Sequence, residues 1–311
     1  MVLNCILLIL GIALVLWGAD RFTDGACGIA RKWHVSELVI GLTIVSMGTS
    51  LPEFMVSFFS VLRGSSDMSV GNIIGSNIFN TLVIIGASAI MSKLSVNKLL
   101  LTRDIPISLA VALLLFVMAF FDGFINRAEG IVMCAIFIAY LSYTYYLARK
   151  DKANISDSFV EESAPTYKLV LLLLVGCACL VMGGNLLVEN AAELARHWGV
   201  SESVIGLTIL AGGTSLPELA TSLVAARKGS NGLALGNAIG SNVFNVAFVI
   251  GLCSSIVPMK VTDISTVDWI VLLGSAVLLW VVAFTGRKLS RLEGVILIGS
   301  YILYILYIIG I

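Results

Sequence analysis

Two glutamates stand inside otherwise apolar stretches of this chain, each closing the same six residues, GTSLPE: Glu53 in residues 48–53 and Glu218 in residues 213–218. A charge placed in hydrocarbon costs several kcal/mol, about 2.5–3.5 kcal/mol on insertion scales. Two such charges in matching places need a partner, and the apolar stretches around them offer no Arg or Lys. A bound cation is the remaining partner. Oxygen-bearing residues cluster at the same places: Thr49, Ser50 and Glu53 in one segment, Thr214, Ser215 and Glu218 in the other. Thr49 and Glu53 are spaced i, i+4, and Ser50 and Glu53 i, i+3, so on a helix they share a face. Ser76 and Asn80, and Ser241 and Asn245, follow at the same i, i+4 spacing. Carboxylate, amide, hydroxyl and backbone carbonyl oxygens are hard donors that suit Ca²⁺, with six to eight oxygens at about 2.3–2.6 Å, and suit Na⁺ as well. Neither thiolate nor imidazole accompanies them, which argues against Zn²⁺ or Cu⁺.

These residues belong to a longer duplication. Val35–Glu53 and Val200–Glu218 are identical at 15 of 19 positions, and GNIIGSNIFN (residues 71–80) returns as GNAIGSNVFN (residues 236–245), all at an offset of 165 residues. With 59% hydrophobic and 12% charged residues the chain falls in the membrane class. Ten apolar stretches are candidate spans: roughly 2–19, 38–62, 68–92, 105–121, 130–148, 169–188, 203–226, 233–257, 269–286 and 294–311. Met1–Trp17 lacks a basic leader and a small-residue cleavage site, so it reads as the first span. A net charge of zero indicates no polyanionic partner. The six cysteines show no metal-binding spacing and read as packing residues.

With ten alternating spans and the N-terminus outside, 15 of the 19 Lys and Arg fall in inner loops, leaving Arg63, Arg127, Arg196 and Lys260 outside. The positive-inside rule then places both termini outside and the polar stretch 151–167 in the cytoplasm. That stretch separates residues 1–150 from 168–311, five spans on each side. An odd number of spans per repeat inverts the second repeat relative to the first. The expected fold is therefore all-α and integral to the membrane, ten helices in two inverted five-helix repeats, with an ion site at the midplane where they meet. The second and seventh helices read as broken. Gly41, Gly48 and Pro52 interrupt one, and Gly206, Gly212, Gly213 and Pro217 the other. Each proline frees the carbonyl four residues earlier, at Gly48 and Gly213, and free carbonyls at membrane depth survive only within protein or beside a wet cavity.

Neighbouring positions have plainer readings. Gly71, Gly75, Gly236 and Gly240 serve either helix packing or room for ligands. Asn72, Asn237, Asn77 and Asn242 read as interhelical hydrogen-bonders. Trp33 and Trp198 read as interfacial anchors, and Glu37 and Glu202 as helix caps or dipole partners.

Two five-span repeats, each carrying GTSLPE and then GN-x-IGSN-x-FN, resemble the cation/calcium antiporter superfamily, specifically its Na⁺/Ca²⁺ exchanger branch of prokaryotic type, over the whole chain. The resemblance implies alternating access, Glu53 and Glu218 as shared central ligands, and hydroxyl or carbonyl oxygens from Thr49, Ser50, Thr214 and Ser215. It further implies backbone carbonyls of Ser46 and Ala211 as ligands, Ser76 and Ser241 at flanking Na⁺ sites, and Asn80 and Asn245 lining the middle. Some relatives carry Asp where this chain has Asn245, an acid associated with K⁺ co-transport; Asn here implies no K⁺ dependence. The resemblance also implies Ca²⁺ export from a prokaryotic inner membrane, with Ca²⁺ and Na⁺ as substrates, the bilayer as surroundings, and no cofactor, nucleic acid or protein partner. Spans one and six would be the moving part. H⁺/Ca²⁺ exchange on the same fold is the alternative, although the hydroxyl-rich flanks favour Na⁺. A cation channel fits a single closed site less well. Hydrolysis lacks a Ser/His pair, since His34 and His197 lie outside the motifs.

Overall fold

The computed structural model describes residues 2–152, 164–198 and 211–309. Glu202, Gly206, the first part of the 203–226 stretch and most of the 151–167 linker lie outside the described residues. The described chain is almost entirely helical: α1 (Val2–Trp33), α2 (Glu37–Thr49), α3 (Leu51–Leu62), α4 (Ser66–Met91), α5 (Leu100–Phe120), α6 (Arg127–Lys152), α7 (Thr166–His197), α8 (Ala211–Gly213), α9 (Leu216–Arg227), α10 (Asn231–Ile256), α11 (Thr266–Phe284) and α12 (Arg291–Ile309). Among the described residues eight helices are long and apolar enough to cross a membrane, and α2–α3 makes a ninth if its 48° bend interrupts one span.

Apolar residues divide by layer. α4 and α10 are buried over 72% and 78% of their apolar windows and form the centre. On α1, α11 and α12, large side chains such as Ile9, Val281 and Leu303 are exposed. In hydrocarbon these exposed faces need no further cover, because lipid tails are as apolar as leucine. α1 and α7 pair antiparallel along their length. Added Cβ atoms at Gly11 and Gly183 would each meet the other's carbonyl at 2.9 Å, and Gly18 repeats the relation with Gly176. Only glycine lets the backbones approach so closely.

Two short antiparallel strand pairs, β1 (Leu94–Ser95) with β4 (Lys288–Leu289) and β2 (Phe124–Ile125) with β3 (Met259–Lys260), tie loops together at opposite ends of the bundle. Asn231 reaches Lys93 and Ser95 at the first end, and Asp67 caps Thr262 and Asp263 at the second.

The sequence-derived boundaries of several helices are too short. α1 continues past residue 19 to Trp33, carrying Asp20, Arg21 and Asp24 within the helix. α5 begins at Leu100, so Arg103 lies in the helix and not in a loop, 9% exposed and bonded to the fully buried Asp104 at 2.6 Å. The Tyr140 hydroxyl of α6 donates to the same carboxylate at 3.4 Å. Pairing lets both charges stay below the apolar surface. Arg103→Ala leaves Asp104 unpaired, a change worth about 3–5 kcal/mol, and is expected to lower the melting temperature of the detergent-solubilised protein while Arg63→Ala, at an exposed arginine, does not.

Candidate cation site

Both GTSLPE segments build the same local structure. Pro52 and Pro217 sit in the first turn of α3 and α9, where proline's missing N–H costs nothing. Upstream, Ser50 (φ −81°, ψ 10°) and Ser215 (φ −87°, ψ 8°) occupy the bridge region between helices. Each break leaves its glutamate in the first turn of a new helix, where the N-terminal dipole favours a negative group.

The breaks change which groups meet. Ser50 lies in the break before α3, and its hydroxyl bonds outside its own segment. The serines cross between the repeats: Ser50 Oγ donates to Glu218 Oε1 at 2.7 Å and Ser215 Oγ donates to Glu53 Oε1 at 2.8 Å. Both glutamates are fully buried, and no Lys, Arg or His pairs with either among the described residues.

Around them runs a lattice of asparagines. Asn72 Nδ2 donates to Ser57 Oγ and the Glu53 carbonyl, and Asn237 Nδ2 does the same to Ser222 Oγ and the Glu218 carbonyl. These bonds hold α3 to α4 and α9 to α10 beside each carboxylate. Thr49 Oγ1 donates to Asn237 Oδ1 at 3.0 Å. Asn80 Nδ2 donates to Asn242 Oδ1, and Asn245 Nδ2 to Asn77 Oδ1. Asn77 Nδ2 donates in turn to the Asn242 carbonyl. The interhelical role read for Asn72, Asn77, Asn237 and Asn242 is thus what their side chains do.

Among the described residues, the buried oxygens with no hydrogen-bond partner include Glu53 Oε2, Glu218 Oε2, Thr214 Oγ1, Ser76 Oγ, Asn80 Oδ1 and Asn245 Oδ1 of the repeated motifs, beside others elsewhere such as Thr23 Oγ1, Ser88 Oγ and Thr144 Oγ1. Orphaned buried acceptors are costly. Here the amide nitrogens of Asn80 and Asn245 are spent on the lattice, which leaves both amide oxygens unpartnered. The chemistry of the motif oxygens is that of a hard cation.

The Ser46 carbonyl accepts from Thr49 Oγ1 and Ser241 Oγ, both at 3.4 Å, one from each repeat. Ala211 opens α8 at the edge of the described residues. The Gly48 carbonyl, expected to be free, accepts a thiol hydrogen bond from Cys177 at 3.4 Å, so this cysteine of α7 does more than fill space. The cap of α2 is Ser36, with Glu37 in the first turn.

Sequence reading missed three features. Ser57 and Ser222 anchor Asn72 and Asn237, and their recurrence at the 165-residue offset was the available signal. Thr81, which accepts from Asn242 at 2.9 Å, is not repeated and carried no such signal. Widened π-helical turns run over Gly41–Val45, Asn80–Ile84 and Phe244–Ile250, so Asn80 opens one and Asn245 lies within another. Such turns are frequent at functional sites.

The glycines divide unequally. Added Cβ atoms at Gly236 and Gly240 would stand 2.7 Å from the Leu38 carbonyl and the Leu42 Cα, so these residues let α10 pack on α2. Gly71 and Gly75 line a cavity of about 550 Å³ with Asp268, Tyr301 and Tyr304.

Buried hard oxygens without basic partners among the described residues, inside a bundle of apolar helices, fit a membrane protein that handles cations. A family model described as sodium/calcium exchanger protein matches residues 3–146 and 168–310, and the chain belongs to that family of multi-pass membrane transporters. It is 38% identical to CaxA of Alkalimonas amylolytica over 98% of both chains. It is 32% identical to the sodium/calcium exchanger MaX1 of Methanosarcina acetivorans over 97% of both. Among solved structures, the sodium-calcium exchanger NCX_Mj soaked with Na⁺ and Ca²⁺ superposes with a TM-score of 0.85, at 33% identity and 98% coverage of each chain.

Proposed function

We propose that this chain exchanges Na⁺ for Ca²⁺ by alternating access, with Glu53 and Glu218 as the ligands both ions share. The observation that carries the reading is that both glutamates are fully buried without a basic partner among the described residues, and that oxygens of Glu53, Glu218, Thr214, Ser76, Asn80 and Asn245, all in the doubled motif, are among the buried oxygens left without a hydrogen-bond partner. Thr49, Ser50, Thr214, Ser215, Ser76, Ser241, Asn80 and Asn245 complete the ligand set, with backbone carbonyls at Ser46 and Ala211.

Ten spans in two inverted repeats, residues 1–150 and 168–311 around the 151–167 linker, are the arrangement we infer. Support comes from contacts that map onto their own counterparts at the 165-residue offset, Ser50–Glu218 with Ser215–Glu53 and Gly11–Gly183 with Gly18–Gly176, and from the matching strand pairs β1–β4 and β2–β3, in which β3 follows β1 by 165 residues and β4 follows β2 by 164. A pseudo-two-fold axis in the membrane plane generates such pairs. The Lys/Arg bias assigns the Lys93–Asn231 end to the cytoplasm of a prokaryotic inner membrane, with both termini outside.

Charge counting gives the coupling. Two ionised glutamates leave the empty site at −2. One Ca²⁺ or two Na⁺ neutralise it, and a third Na⁺ makes it +1. Three-for-one exchange would then move one net charge per cycle, worth about 2.3 kcal/mol per 100 mV. An empty −2 site is costly to carry past hydrocarbon, which suppresses leak and enforces exchange. With Na⁺ flowing inward, the expected direction is Ca²⁺ export.

The test is Ca²⁺ uptake into proteoliposomes under an imposed Na⁺ gradient and, separately, an imposed pH gradient. Uptake driven by Na⁺ alone is expected and should saturate. Uptake driven only by the pH gradient would replace Na⁺ by H⁺ as the coupling ion.

A further inference from the structure

The loops after α3 and α9 are structural equivalents. Arg63-Gly64-Ser65 and Lys228-Gly229-Ser230 stand 165 residues apart, and both glycines are left-handed, φ 79° and 80°. Their surroundings differ. Lys228 Nζ reaches across to α1, 2.6 Å from Asp24 Oδ1 and 2.7 Å from Asp20 Oδ1, and also donates to the Asp20 carbonyl. At the same offset, the counterparts of Asp20 and Asp24 on α7 are Asn185 and Glu189. Arg63 and Glu189 are both exposed, and neither side chain has a hydrogen-bond or ion-pair partner among the described residues.

The helices behind these loops differ in the same sense. α9 lies against α1, burying Ala220. α3 has no comparable packing on α7. Its face is bare instead: Leu51, Met55, Phe59 and Leu62 are each more than 40% exposed. A cavity of about 450 Å³ opens there, lined by Met55, Phe59, Arg63 and Met68 among others.

We propose that Arg63 and Glu189 form an ionic latch that closes when Lys228 releases Asp20 and Asp24, with α7 docking on the bare face of α3 as α1 leaves α9. The inference rests on the alternating-access reading and adds the groups that hold each state. One end shuts when Lys228 binds two aspartates; the opposite end shuts when Arg63 binds Glu189. Because Asn185 is neutral, the second latch has one acidic partner where the first has two, so without ions the equilibrium leans toward the arrangement seen here.

The test uses cysteine pairs in a variant with the six native cysteines replaced and exchange retained, carrying a protease site in the linker. A short bifunctional thiol reagent joins the halves of the cleaved chain only where the two cysteines meet. Asp24→Cys with Lys228→Cys is the control, paired in the present arrangement. Arg63→Cys with Glu189→Cys is expected to cross-link during turnover and to block exchange until reduced. In an otherwise cysteine-free chain, Glu189→Gln is also expected to slow thiol labelling of Lys228→Cys at least threefold, because the open state at that end loses its latch. Separation of the Arg63→Cys/Glu189→Cys halves, or unchanged labelling, while the control cross-links and blocks exchange, overturns the latch and leaves alternating access standing. A control cross-link that leaves exchange intact removes the alternating-access reading itself.

Discussion

Replacing either central carboxylate by its amide, Glu53→Gln or Glu218→Gln, is expected to cut Na⁺-driven Ca²⁺ uptake in proteoliposomes at least a hundredfold. Unit charges about 4 Å apart attract by about 4 kcal/mol at an effective dielectric of 20, and a divalent ion doubles that. Losing even a third of this attraction is worth roughly a hundredfold, at about 1.4 kcal/mol per decade. The amide keeps one oxygen able to accept from Ser50 or Ser215, so the cross-repeat bonds survive. It also removes a buried charge that had no basic partner, so insertion and folding should be intact, as checked by gel filtration. Normal uptake by either variant would remove Glu53 and Glu218 from the role of shared ligands.

The second large effect is expected from a single methyl group. In Gly240→Ala the new Cβ would lie 2.7 Å from Leu42 Cα and Ser46 Oγ and 2.8 Å from the Leu42 carbonyl. Two of these are backbone atoms, so α2 must move away from α10. Overpacking of this kind costs about 1–3 kcal/mol. Here the displaced helix carries Thr49 into the break that positions Ser50, so exchange should fall at least tenfold, more than the loss of stability explains. Gly299→Ala on α12, with no described atom within 4 Å of its Cβ, is the matched control and should transport normally. Equal flux in the two variants, measured at equal reconstituted protein, would show that close approach of α2 and α10 is not needed for the site.

The amino-acid sequence alone determined the class of this protein. Long apolar runs have one stable environment, and charged residues within them are few enough to stand out; that is why Glu53 and Glu218 and their hydroxyl neighbours were legible. Helix ends were less so. Arg103 looked like a loop residue because burial of a charge depends on a partner, and the pairing with Asp104 beneath Tyr140 is a tertiary fact. The pairing of the site was likewise beyond one-dimensional spacing. Thr49, Ser50 and Glu53 fall within one helical turn of sequence, yet the break at Ser50 sends its hydroxyl to Glu218 of the other repeat. The duplication made Gly71 and Gly75 look equivalent to Gly236 and Gly240, whereas the latter pair alone is pressed against the backbone of α2. Sequence records which groups are present and how often they recur. Which of them face one another is decided by packing between segments, because hydrogen bonds and ion contacts act over a few ångströms in space, whatever the separation along the chain.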